Sequence, residues 1–232
     1  MRFVRSPLAT VLLVIGAAGT LLAIPHIFSL SAVSGAKQRL AHYQLYAWVT
    51  ALVVAAVTLL LYPASAKTYL RLNRLAGEMA PVRCLIIKEG ENWARQGWQF
   101  ALMLTLVTAA VISQQIPVAK VSAQQLFAVL PVAFALALSN SLVEELIFRH
   151  SIVSAFENHA LKKHAPLISG VIFGCAHYFG APGGFIGVLM AGFLGWLLAK
   201  SMQETGGIFW AWSIHACLDV VIFSSMLLAG GT

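Results

Sequence analysis

The chain has 232 residues, of which 59% are apolar and only 10% charged, against about 25% charged in a typical soluble domain. That excludes a water-soluble globule, and three cysteines exclude a secreted disulfide scaffold. Fifteen Lys/Arg against eight Asp/Glu give a net charge of +7, which in a membrane protein marks cytoplasmic loops and anionic lipid.

Nucleic acid is not an expected partner, because the cations are not gathered in a folded polar domain. The expected fold class is all-α: a polytopic membrane bundle of about seven helices, within the range of about six to eight.

A crossing takes about 20 mostly apolar residues. Pro7 to Phe28 is the first such run. It follows Arg2 and Arg5 and reads as a retained anchor, since further spans follow and no small-x-small cleavage site closes it. His42 to Ala64 is the second run and Trp98 to about Ser113 the third. A fourth starts at about Leu126 and stays helical past Arg149. Pro166 to Gly180, Phe185 to Ala199 and Gly207 to Leu228 supply three more, and the count is least determined around Gln114 to Gln125.

Residues 1–125 thus hold the N-terminal spans and a basic loop at about 65–97, and residues 126–232 hold the polar core. That loop carries Lys67, Arg71, Arg74, Arg83, Lys88 and Arg95. Placed in the cytoplasm, it brings the N-terminus, Lys162, Lys163 and Lys200 to the same side. The C-terminal Gly230-Gly231-Thr232 then lies outside, and Lys37 and Arg39 are the dissenting pair. Alternating cations and hydrophobes from Lys67 to Leu75 suit a helix lying among the headgroups.

A charge inside a span costs about 2.5–3.5 kcal/mol on insertion scales. The first half of the chain places no acid in a span; the second places Glu144, Glu145 and Asp219, with Arg149, His177 and His215. Glu145 and Arg149, four apart, share a helix face and are set to pair. Glu144 points elsewhere, with Asn140 one turn back as its neutral neighbour, an arrangement suited to general-base work. The alternative is that the cluster glues helices together.

His177 lies in a span rich in small residues that admit close neighbours. His215 and Asp219 share a face at i, i+4. Both histidines lie a similar distance along their helices from Lys163 and Lys200, so Glu144 and the imidazoles are placed to meet in one layer. A base, an oxyanion donor and a wet cavity are what intramembrane hydrolysis needs. A zinc site from Glu144, His177 and His215 is chemically reasonable, and spacing leaves it open.

Cys175 and Cys217 read as small packing residues, and no disulfide is expected. Gly180, Gly183 and Gly184 around Pro182 read as an outer turn. Trp210 and Trp212 read as packing or interfacial residues, and His26, His42, His150, His159 and His164 as interfacial or exposed.

Glu144-Glu145-x-x-x-Arg149, Phe173-x-x-x-His177 and His215-x-x-x-Asp219, in this order, resemble the CAAX prenyl endopeptidase and bacteriocin-processing (Abi/CPBP) family of intramembrane proteases. The resemblance covers about residues 140–220. It implies endopeptidase activity within the bilayer of the cell membrane, on a membrane-associated or lipidated polypeptide. Carried over, Glu144 activates water with His177 beside it, and His215 and Asp219 polarise the scissile carbonyl. Glu145 and Arg149 hold the site, with Phe173 in support. Members are often labelled metalloproteases; the reading favoured here needs no cofactor and leaves zinc as the alternative. The rival readings are a proton-coupled transporter using the same groups as a relay and a non-catalytic immunity or scaffold protein. The absence of a duplicated half argues against the transporter.

Overall fold

The computed structural model describes residues 6–27, 35–114, 121–180 and 183–229. Arg2, Arg5, Phe28, Pro182 and Gly230 to Thr232, used above, lie outside the described residues. The described chain is all helical, with no strand beyond two isolated bridges, Glu78–Asn92 and Val82–Ile87.

The helices are α1 (Pro7–Ile27), α2 (Ala36–Leu61), α3 (Pro63–Tyr69), α4 (Trp93–Ser113), α5 (Ala123–Glu144), α6 (Ser151–Phe156), α7 (Ala165–Ala176), α8 (Gly184–Thr205) and α9 (Phe209–Ala229). A π-helical stretch, Glu145–His150, joins α5 to α6, so that Ala123–Phe156 is one rod of 34 residues. Among the described residues six helices are long and apolar enough to cross a membrane: α1, α2, α4, that rod, α8 and α9.

The run Pro166 to Gly180, expected as a full span, is not among the six. Its helix α7 has 12 residues and rises only about 18 Å, well short of a bilayer's hydrocarbon core. It ends in a 3-10 turn, His177–Phe179, and the chain returns along α8. Glycines bring α7 and α8 together. A methyl group on Gly170 would stand 2.6 Å from the Gly192 carbonyl oxygen, and one on Gly174 would stand 2.6 Å from that of Val188. Only hydrogen fits at those two positions.

Local signals explain the helix ends. Ser122 caps α5 in a reciprocal capping box with Gln125, and Asn92 caps α4 by accepting from Ala94 N at 2.9 Å. α8 stops at Gly206, whose φ of +71° is left-handed backbone that glycine adopts without strain. Within the π-helical stretch the regular carbonyl ladder is interrupted. Ser169 Oγ donates to the Phe148 carbonyl at 2.9 Å, and Ser151 Oγ donates to that of Ile147.

The helix expected from Lys67 to Leu75 in the basic segment does not extend that far. It stops at Tyr69, and the rest of the segment folds over one end of the bundle. Lys200, expected in a cytoplasmic loop, is buried there; its Nζ donates to the Ala80 carbonyl at 3.1 Å and pairs with Glu204. Glu204 also accepts from Ala80 N at 3.0 Å and Trp93 Nε1 at 2.8 Å, and Trp210 Nε1 reaches the Leu75 carbonyl at 2.8 Å. Tyr69 donates to Glu157, which Lys162 also holds at 2.8 Å. Burial, reinforced by the Glu157 carboxylate, pushes the Tyr69 phenol above its ordinary range.

His150, expected to be interfacial or exposed, is neither. It is fully buried, with Nε2 3.0 Å from the Ala66 carbonyl, so it ties the rod to α3. Cys175 and Cys217 are exposed rather than packed; they sit on the faces turned from the site.

Candidate active site

The six polar residues that lipid should reject come from three elements and meet at one place. The rod supplies Glu144 and Glu145 at the junction where α-helix becomes π-helix, and Arg149 one turn on. α7 supplies Phe173 and, at its C-terminal turn, His177. α9 supplies His215 and Asp219.

His215 is the hub. Its Nδ1 lies 2.7 Å from Glu145 Oε1, and its Nε2 faces Glu144 Oε2 at 3.5 Å and Asp219 Oδ1 at 3.7 Å. Glu145 therefore serves two partners, since Arg149 Nη1 is 3.4 Å from the same oxygen and both side chains are wholly buried. The pairing expected from i, i+4 spacing is present. Its additional contact to α9 was not legible, because it joins residues 70 apart in sequence.

Phe173 organises the remaining faces. The Arg149 guanidinium carbon stands 3.7 Å from its ring centroid, a cation–π contact worth up to about 2 kcal/mol when desolvated. Its ring also packs on His177 at 4.1 Å and meets His215 nearly edge-on at 5.8 Å. His177 Nδ1 is tied to the Phe173 carbonyl at 2.9 Å, which leaves Nε2 as its outward nitrogen. The closest imidazole to Glu144 is that of His215; His177 lines the same cavity as Glu144 without an ion pair to it.

Sequence reasoning missed a neutral relay from the first half of the chain. Trp48 Nε1 donates to Ser139 Oγ at 2.8 Å, and Ser139 Oγ donates to Gln44 Oε1 at 2.8 Å. Gln44 Nε2 donates to Asn140 Oδ1 at 2.9 Å. The Asn140 amide then gives its two protons to Glu144 Oε1 at 3.1 Å and Asp219 Oδ2 at 3.0 Å. One amide thus bridges two carboxylates, its carbonyl fixed from α2. The available signal was Gln44 itself, a buried amide within an apolar span. Attention to charges alone passes over it.

A cavity of about 860 Å³ reaches this layer, with Asn140, Glu144, His177 and Asp219 on its wall and Tyr43 beside them. A smaller pocket of about 300 Å³ approaches from α4 and α8 and shares His177 and Asp219 with it. Trp210 and Trp212 take no part: the first packs under the basic segment, and the second donates to the Leu138 carbonyl at 3.0 Å. Among the described residues no three His, Cys, Asp or Glu side chains converge as a ligand set for a metal ion. Nδ1 of His215 is engaged by Glu145, which leaves Nε2 as its nitrogen facing Glu144.

Residues 125–221 match the family model of the Rce1-like proteins, Type II CAAX prenyl endopeptidases. The matched stretch begins in the first turn of α5 and ends just past Asp219, so it holds every one of the clustered residues. No curated protein and no solved structure matches the chain. The likeness over that stretch is to CAAX-type proteases, a class that acts on protein or peptide, and the six apolar helices are those of a multi-pass membrane protein.

Proposed function

We propose that the chain is an intramembrane endopeptidase that hydrolyses a peptide bond in a membrane-associated or lipid-anchored polypeptide with a glutamate-activated water. The observation that carries this is Glu144. One of its oxygens is fixed by Asn140, and the other, Oε2, accepts no hydrogen bond and faces the His215 imidazole at 3.5 Å, on the wall of the cavity. A fixed carboxylate with a spare acceptor is what a general base requires.

In this reading the Glu144 carboxylate takes a proton from water as the water oxygen attacks the scissile carbonyl carbon. His215, ringed by Glu144, Glu145 and Asp219, is in this reading the imidazolium and donates its Nε2–H to the developing oxyanion, with His177 beside it. As the carbon–nitrogen bond breaks, the proton passes from Glu144 to the leaving amine. Glu145 holds His215 through Nδ1, which directs Nε2 toward the reacting layer. Asn140 fixes the far oxygen of Glu144 and ties it to Asp219, and the Arg149 cation offsets the carboxylates.

Purified Glu144→Gln, His177→Ala and His215→Ala variants should reach the membrane at near wild-type levels and yield no peptide products. Retained cleavage in all three would overturn this chemistry.

A further inference from the structure

We infer that the cavity leading to Glu144 opens on the non-cytoplasmic face of the membrane, so that the polypeptide cleaved there presents its scissile bond from that side. The inference rests on the protease reading for the cleavage and on independent observations for the side.

On α1, α2 and α9 the cavity wall runs toward one end of the bundle. On α1 it reaches Pro25 and His26, in the helix's last turns. On α2 it is confined to the first turns, at Arg39, Leu40 and Tyr43. On α9 it starts at Asp219 and continues to Met226, toward the C-terminal end. These stretches share one end of the bundle, because α1 and α2 are antiparallel: Thr10 near the start of α1 hydrogen-bonds Tyr62 just past α2, at 3.1 Å.

The opposite end is covered. There the segment after α3 lies across the bundle, held by the Lys200–Glu204–Trp93 contacts and by Trp210. Tyr69 and Trp93 are buried beneath it, as is its own Met79 side chain.

Cations divide the two ends unequally. The covered end carries the six of the basic segment together with Lys162 and Lys163; the open end carries Lys37 and Arg39, with Lys120 outside the described residues. Such an excess in short connections faces the cytoplasm. The mouth, at the other end, faces away from it. A tail anchored and presented in the cytoplasm would meet the covered end. The substrate class this geometry takes is a secreted or membrane-anchored polypeptide whose cleavage site lies toward the outer leaflet.

Thiol accessibility in sealed cells tests the side directly. The full chain is expressed with Cys175→Ser and Cys217→Ser, once retaining Cys84 in the basic segment, where it is exposed. A second version adds Cys84→Ser with Arg39→Cys, and a third uses His26→Cys in place of Arg39→Cys. A membrane-impermeant maleimide should label positions 39 and 26 in sealed cells and Cys84 only after permeabilisation. Labelling of Cys84 in sealed cells overturns the inference. So do reporters at 39 and 26 that stay unlabelled until permeabilisation or throughout. The readout needs no activity, so cleavage retained by Glu144→Gln would sink the peptidase reading without touching the side of access.

Discussion

Glu145 on the central rod and His215 on α9 stand 2.7 Å apart, although 70 residues separate them in sequence. The same carboxylate oxygen pairs with Arg149, so one fully buried acid fixes both an imidazole and a guanidinium. Removing one member of such a group leaves the others charged in a dry place, which typically costs about 3–5 kcal/mol. Arg149→Ala should therefore unfold at markedly lower temperature in detergent. Restoring neutrality with Arg149→Met and Glu145→Gln together should recover most of that loss. A double variant no more stable than Arg149→Ala would show that packing on Phe173, rather than charge, sets the cost.

Glu144 calls for a different outcome, loss of chemistry without loss of fold. Glu144→Gln keeps the acceptor for Asn140 and removes the base. Cleavage should fall by about 100-fold or more, while the melting temperature stays near that of the parent. Peptide release followed by mass spectrometry, beside a thermal scan, separates the two effects.

Asn140 is a positioning residue, and its variants should act through the two carboxylates it joins. Asn140→Ala leaves Glu144 and Asp219 without their shared donor, a penalty of about 1–3 kcal/mol for buried acceptors. The expected signature is a fall in kcat with KM little changed, as for a base still present but loosely aimed. Gln44→Leu, one step further back, should give a weaker version of the same pattern. Equal loss in both variants, all of it in protein yield, would assign the relay to folding alone.

Neighbouring glycines predict a graded packing response. Gly174→Ala places a methyl group 2.6 Å from the Val188 carbonyl oxygen, whereas at Gly192 the nearest contact is an ordinary 3.5 Å. Overpacking of the first kind costs about 1–3 kcal/mol, so Gly174→Ala should destabilise strongly and Gly192→Ala hardly at all. Thermal unfolding of the pair checks this within one helix contact.

Cofactor dependence is expected to be absent. Prolonged treatment of active protein with a divalent-metal chelator should leave cleavage unchanged, and metal analysis of that sample should find no stoichiometric zinc. Activity lost on chelation and restored by zinc would reverse the assignment of Glu144 from base to ligand.

The spans and the buried charges were legible because each leaves a mark on local composition: twenty apolar residues, or an acid where none belongs. Glu145 with Arg149 and His215 with Asp219 were legible for the same reason, since helical spacing fixes their faces. What local composition does not encode is length against packing. Pro166 to Gly180 is apolar enough for a span, yet α7 stops at Ala176 because its glycines bind it to α8 and the chain turns back. The docking of the basic segment was hidden likewise, because Lys200, Glu204 and Trp93 come together only in three dimensions. Gln44 was hidden by its neutrality.

The short helix α7 has a consequence for the surrounding lipid. Leu167 and Val171 are exposed along it and Tyr178 and Phe179 on the turn that follows, yet the helix reaches only partway through. Acyl chains bordering it must compress or tilt to match so short an apolar wall.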